Sequence, residues 1–196
     1  MAGDYKLSYG KLKYRYWYMK ATNDCYNLIM KYEGCAFKAY RCSANIWTIG
    51  YGHTSGVREG DKITPEEARQ YLLRDVNLYE AYVNENIVKK LDYELTQGQF
   101  DALVSFAFNL GSIKSGFRAC LMMGDFAGAV EKMLLYTKSD GKYMLGLHRR
   151  RMAEALLFTG MIVNEADKEY IRAKIDHYEL NCKGVELLKW YKKELQ

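Results

Sequence analysis

Proline occurs once in the 196 residues, at Pro65, and histidine only three times. The five cysteines, Cys25, Cys35, Cys42, Cys120 and Cys182, are an odd number and include no Cys-x-x-Cys pair. No metal-ligand spacing stands out, and no paired disulfide framework is expected. The cysteine pattern points to synthesis in a reducing compartment. No stretch approaches the ~20 apolar residues of a membrane span. The opening Met-Ala-Gly-Asp-Tyr-Lys is followed by no apolar signal segment. Neither repeats nor a low-complexity linker divides the chain. At 49% hydrophobic residues, it is long enough to bury one sizeable core.

Charge is distributed unevenly. The formal net charge is +5, and the first 20 residues, with five Lys/Arg against one Asp, carry +4 of it. Residues 161–196 hold seven basic and seven acidic residues and are neutral. A modest basic excess suits approach to an anionic polymer, and it equally serves solubility. In the basic arm, Tyr14, Tyr16 and Tyr18 alternate with Arg15 and Trp17, the period of a strand. The arm is expected to pack on the domain that follows. Residues 161–196 read as a helical appendage, with a cap at Asn164 and a second short helix around Val185–Tyr191.

Between these ends the helix signals are local. Thr22 or Asn23 can cap a first helix. Thr64-Pro65-Glu66-Glu67 combines an N-cap, a proline at N1 and a capping box, and predicts a helix over 65–84 with Ala68, Tyr71, Leu72, Asp75 and Leu78 or Tyr79 on one stripe. Thr96 and Gln99 form a second capping box. The helix after it is apolar on nearly every side, which marks it as buried, and Gly111 ends it. One or two short helices are expected over 112–124, another over 126–136 capped by Asp125, a turn at Ser139-Asp140-Gly141, and a last helix over 147–158.

The chain is organised around residues 33–55, EGCAFKAYRCSANIWTIGYGHTS. Glu33 closes a short apolar helical run. Two strand-like pieces, 36–41 and 46–51, flank Cys-Ser-Ala-Asn, where Asn45 suits a tight or left-handed turn. Gly50 and Gly52 leave the backbone around Tyr51 bare. Cys42 follows Glu33 after eight intervening residues and Thr48 follows Cys42 after five, so the three side chains can converge.

Glu-x8-Cys-x5-Thr followed by Ile-Gly-Tyr-Gly-His resembles the catalytic signature of the phage-type lysozymes, an endolysin family. Thr96-Gln-Gly-Gln-Phe-Asp-Ala-Leu-Val-Ser-Phe-Ala-Phe-Asn-Leu-Gly111 resembles that family's central buried helix, and Gly146-Leu-His-Arg-Arg-Arg-Met-Ala-Glu154 its late arginine helix. The resemblance covers about residues 22–160 in the family's order. It leaves residues 1–21 and 161–196 as extensions. It implies an α+β, lysozyme-like fold, with a small β-containing lobe and a larger helical lobe separated by a cleft. The implied activity is hydrolysis of the β-1,4 bond between N-acetylmuramic acid and N-acetylglucosamine in peptidoglycan, with no metal or organic cofactor.

The resemblance also implies roles. Glu33 is the acid that protonates the leaving oxygen, a task that calls for a partly buried carboxyl. Cys42 stands where many relatives hold Asp and some hold Cys; it can position or deprotonate water as a thiolate, attack the sugar, or be dispensable beside Thr48. Thr48 completes the triad. Tyr51, Gly52 and His53 line the cleft floor, with His53 structural rather than catalytic. Asn109 and residues 110–113 form the opposite wall. Arg149 or Arg150 pairs with the catalytic Glu, and Tyr136 stands near a position where the family often has Trp. Peptidoglycan is the expected partner of a monomer that has no membrane anchor and binds no nucleic acid. It accumulates in the host cytoplasm until a separate holin releases it to the periplasm and cell wall.

Three other readings stay open. Glu33 without a second carboxylate suits a lytic transglycosylase. Cys42 with His53 would suit a cysteine peptidase, although no local nucleophile signature accompanies them. A non-enzymatic wall-binding or virion protein could reuse the fold.

Overall fold

The computed structural model describes residues 18–42 and 44–160. The strand expected in the N-terminal arm, the appendage expected over 161–196 and Cys182 lie outside the described residues. Helix α1, Asn23–Glu33, leads into an antiparallel hairpin of β1, Ala36–Arg41, and β2, Trp47–Gly50. Its register sets Tyr40 opposite Thr48 and Arg41 opposite Trp47, with an irregularity between Ala36 and Tyr40. Asn45 adopts φ 60°, the left-handed turn conformation its position calls for. The chain then returns along the outer edge of β1. There Ala39 donates to the Asp61 carbonyl at 2.9 Å, and Ile63 donates to the Phe37 carbonyl at 3.1 Å.

Helix α2, Pro65–Asn86, starts where the sequence predicts. Thr64 accepts from the Glu67 backbone N–H while Glu67 accepts from Thr64, so both halves of the capping box form. It runs two residues past the predicted end, and a single 3-10 turn follows at Val88–Lys90. Its inward stripe differs in part from the expected one. Ala68, Leu72, Val76 and Val83 are buried, Tyr79 tilts against Phe108, and Leu78 faces water at 67% exposure.

Helix α3, Gln97–Leu110, is the core. Every residue from Gly98 to Ala107 is buried, and the Thr96–Gln99 capping box is complete. Gly111 ends the helix at φ 76°, a left-handed cap that glycine adopts without strain. Helices α4, Ser115–Met122, and α5, Phe126–Leu134, form a pair, and Asp125 caps α5 through the Gly128 N–H. A two-residue hairpin, β3 at Lys138–Ser139 and β4 at Lys142–Tyr143, precedes α6, Leu145–Gly160, which packs along α3. Phe100, Phe106, Phe117, Leu103, Leu121, Met133, Met152 and Phe158 fill the space between these helices. This is the expected α+β arrangement, with a small hairpin lobe and a larger helical one. Among the described residues no helix is long and apolar enough to cross a membrane, and no group of His, Cys, Asp and Glu is placed to hold a metal.

The segment before α1 is fastened by polar groups rather than by apolar packing alone. Met19 exchanges two hydrogen bonds with the Asn84 side chain, at 2.9 and 3.0 Å. The Ala21 N–H and the Lys20 ammonium both donate to Glu80 at 2.8 Å. Thr22 donates to Asp101 through its N–H at 3.0 Å and its hydroxyl at 2.5 Å. Thr22 therefore occupies the N-cap position of α1 without capping it, because its hydroxyl is spent on α3 instead. Glu80, Asn84 and Asp101 are each about 1% exposed. A buried carboxylate without donors is costly, and this strap supplies them.

Candidate functional site

Glu33 is the last residue of α1, so helix packing fixes its Cα while its carboxylate reaches out of the helical body with 22% exposure. That is the partial burial expected of it. Its Oε1 accepts a hydrogen bond from Arg150 Nη1, and its Oε2 faces Gly52. A Cβ at residue 52 would stand 3.8 Å from that oxygen, and φ there is +93°. Glycine therefore serves twice: it accepts the left-handed conformation and brings bare backbone beside the carboxylate.

Of the two arginines considered for Glu33, Arg150 makes the contact. Arg149 is one residue out of phase on α6, and its carbonyl accepts from the Tyr32 hydroxyl at 3.1 Å. Arg150 is buried and held on three sides. Its Nε lies 3.1 Å from Glu154 Oε1, its Nη2 donates to the Ser105 carbonyl at 3.2 Å, and its Nη1 takes Glu33. Glu154 is fully buried and also accepts from the Ser105 hydroxyl at 2.7 Å and from Arg151 Nη2 at 3.1 Å. Arg151 is fully buried too, and its guanidinium lies 4.6 Å above the Phe106 ring. Burial pushes Arg151 down to about 10, with Glu154 acting in the opposite sense. Arg150, Arg151 and Glu154 thus offset one another's buried charge, with Glu33 at the exposed edge of the group; alone, any one of the buried charges would be expensive.

Sequence reasoning singled out neither Arg151 nor Glu154 by role. A signal existed, since Arg150 and Glu154 are four apart and Arg151 and Glu154 three apart, spacings that meet on a helix face. Asn109 is drawn into this set from α3, its Oδ1 accepting from Arg151 Nη2 at 2.9 Å. That contact fixes the amide's orientation.

Cys42 and Thr48 meet across the mouth of the hairpin. The Cys42 N–H donates to the Ile46 carbonyl at 3.0 Å, extending the ladder one step past Arg41. The thiol is held below its ordinary value, first by the backbone N–H groups of Ile46 and Ala44; burial opposes them, and the Thr48 hydroxyl adds a lesser effect in their direction. That hydroxyl has a second acceptor, the Ile46 carbonyl at 3.0 Å. It carries one proton and serves one acceptor at a time. Thr48 is 3% exposed.

The remaining predicted residues have other primary contacts. His53 presents Nδ1 to Asp75 at 2.9 Å and Nε2 to the Ser55 carbonyl at 3.0 Å, and it stacks on Tyr71 with ring centres 4.3 Å apart. Both ring nitrogens therefore face acceptors, and the ring braces the hairpin lobe against α2. Tyr51 pairs with the Cys35 thiol. Tyr136 meets Phe106 edge-on at 5.4 Å. Ile113 is buried, and its N–H donates to the Tyr82 hydroxyl at 3.0 Å.

A partly buried carboxylate at a helix end, backed by a buried arginine and lying beside the bare backbone of Gly52, is the candidate site on a lysozyme-like fold. Comparison with known proteins agrees: the Phage lysozyme model matches residues 30–154, and the chain belongs to that family. An endolysin of Acyrthosiphon pisum secondary endosymbiont phage 1 is 40% identical over 138 residues, 67% of this chain and 92% of that one. An endolysin of Bacillus phage B103 is also 40% identical, over 67% of this chain, but the match spans about half, 51%, of its length. Among solved structures, the muramidase domain of SpmX from Asticaccaulis excentricus superposes with a TM-score of 0.63 at 34% identity, covering 71% of this chain and 97% of that one.

Proposed function

We propose that the protein is a phage endolysin-type muramidase, with residues 22–160 as its catalytic domain. Its substrate is peptidoglycan, and the bond it hydrolyses is the β-1,4 link from N-acetylmuramic acid to N-acetylglucosamine. The observation that carries this reading is the position of Glu33. One carboxylate oxygen is held by Arg150, and the other faces the open backbone of Gly52.

Glu33 Oε2 is the proton donor in this scheme. As the glycosidic C–O bond breaks, that proton goes to the departing sugar oxygen, leaving positive charge on the anomeric carbon and ring oxygen. A water held by Thr48 Oγ1 and Cys42 Sγ adds its oxygen to the anomeric carbon. Its proton passes to the Cys42 thiolate, and solvent exchange returns the site to its starting state. Arg150 is a positioning residue. It holds Oε1 and thereby leaves Oε2 as the oxygen that can carry the proton.

Hydrolysis is tested by digesting purified peptidoglycan and identifying the new sugar ends. New reducing ends support hydrolysis. Anhydro-sugar ends would show a lytic transglycosylase, in which the sugar's own hydroxyl replaces water. Proteolytic release of stem peptides without glycan cleavage would favour the peptidase reading.

The family and its endolysin relatives support action on the cell wall. A monomer that awaits a separate holin in the host cytoplasm and then works in the periplasm or wall is part of the same proposal.

A further inference from the structure

The register of the β1–β2 hairpin places a tyrosine directly beside the proposed water-binding pair. Tyr40 is the cross-strand partner of Thr48, and partners in an antiparallel ladder project from the same face with Cβ atoms about 5 Å apart. Cys42 follows Tyr40 by two residues, and the Cys42 N–H to Ile46 carbonyl bond continues the ladder, so Cys42 belongs to that face as well. Tyr40, Thr48 and Cys42 therefore form one cluster on one side of a two-stranded sheet.

Their surroundings differ sharply. Thr48 is 3% exposed, whereas Tyr40 is 45% exposed. Among the described residues the Tyr40 ring stacks on no other aromatic ring or cation, unlike Tyr71, Tyr79, Tyr93 and Tyr136, which each pack on a neighbouring ring. Core packing does not account for a large ring at this place. A pyranose presents an apolar face of C–H groups, and an aromatic ring is a suitable platform for it, combining dispersion contact with few rotatable bonds to immobilise.

We infer that Tyr40 is a glycan-binding residue, stacking on a pyranose ring of the glycan strand next to the sugar whose anomeric carbon faces Thr48 and Cys42. The inference rests on the muramidase reading. Its phenolic hydroxyl makes no hydrogen bond among the described residues, so the ring rather than the hydroxyl carries the contact. Specificity is for the carbohydrate, not the stem peptide.

The test compares wild type, Tyr40→Phe and Tyr40→Ala on soluble peptidoglycan fragments and on peptide-free glycan strands, with thermal unfolding measured for each. Tyr40→Phe should keep wild-type KM. Tyr40→Ala should raise KM roughly 3- to 10-fold on both substrates, the scale of one aromatic contact, with kcat and melting temperature little changed. In the folded Glu33→Gln protein, Tyr40→Ala should weaken binding of N-acetylglucosamine oligomers by a similar factor. An unchanged KM, a KM effect confined to peptide-bearing fragments, or a kcat loss that tracks a lowered melting temperature would each overturn the assignment. If wild type releases no new sugar ends from peptidoglycan, the muramidase reading itself falls. A wild type that releases them while Tyr40→Ala binds and turns over normally removes only Tyr40.

Discussion

Arg150 and Glu33 lie 117 positions apart in the chain and share a hydrogen bond, one at the exposed end of α1 and the other buried in α6. The arginine does not belong to Glu33 alone. Glu154 and the Ser105 carbonyl hold it from behind, so α3 and α6 together aim the guanidinium at the site. Replacing Arg150 with Met should therefore injure both the fold and the site. It leaves Glu154 with less compensation in the core, a loss expected to cost about 3–5 kcal/mol. Denaturant unfolding measures the stability, and turnover near the midpoint of the native baseline measures the site. A Met variant as stable and active as wild type would show that the Arg150 contacts are ornamental.

Glu33→Gln keeps the size and hydrogen-bonding capacity of the side chain and removes the transferable proton. Turnover of peptidoglycan should drop by roughly 10²–10⁴-fold, the usual contribution of a positioned general acid. The melting temperature should change much less. Full activity in a folded, pure variant would remove Glu33 from the mechanism.

Cys42 predicts a pH limb. The reaction needs Glu33 protonated and Cys42 ionised together, so activity should follow a bell-shaped pH profile, with the limb that belongs to Cys42 below the ordinary thiol range because backbone N–H groups of Ile46 and Ala44 favour its thiolate. Cys42→Asp should stay active with that limb moved to lower pH, since a carboxylate ionises earlier. Cys42→Ala should be impaired at all pH values. Alkylation should inhibit wild type and spare Cys42→Asp. Full activity in Cys42→Ala would leave Glu33 and Thr48 as the working pair.

Asp101 predicts a stability slope. Burial raises its carboxyl above the ordinary value, against the hydrogen bonds from Thr22 and Gln97. Between about pH 4, where an unfolded Asp titrates, and the higher folded value, the native state holds a proton that the unfolded chain has released. Stability from this group is thus present at the acid end and lost as pH rises through that window. In urea unfolding across the acidic range, the stability of wild type relative to Asp101→Asn should fall as pH rises through that window. Parallel curves would rule out the attribution.

The two capping boxes, the buried α3 and the hairpin turn at Asn45 could all be read from the chain, because each depends on residues within a few positions of one another. The spacing of Glu33, Cys42 and Thr48, the residues proposed for the site, is local in the same way. Two features were not. Thr22 looks like a helix cap in sequence, but Asp101, 79 residues away, takes its hydroxyl. Arg149 and Arg150 are chemically identical, and only the angular phase of α6 against α3 decides that Arg150 turns toward Glu33 and Ser105. Long-range partners override local preference in both cases. The local signal that remained, Arg150 to Glu154 at four residues, says that the two meet and nothing of what else they touch.

Helix α2 is gripped at two levels. Asp75 holds His53 of the hairpin lobe, and Asn84 holds Met19 of the strap on the helical body. Nine residues at 1.5 Å each separate these anchor points by about 13 Å. The eight intervening residues, 76–83, contain neither glycine nor proline, so no ready hinge lies between them. Both anchor points thus ride on a single stiff beam, and any movement of one against the other has to bend it. Separating the hairpin lobe from the helical body then costs elastic work in one helix. A glycine pair at 77 and 78 would be the place to soften it.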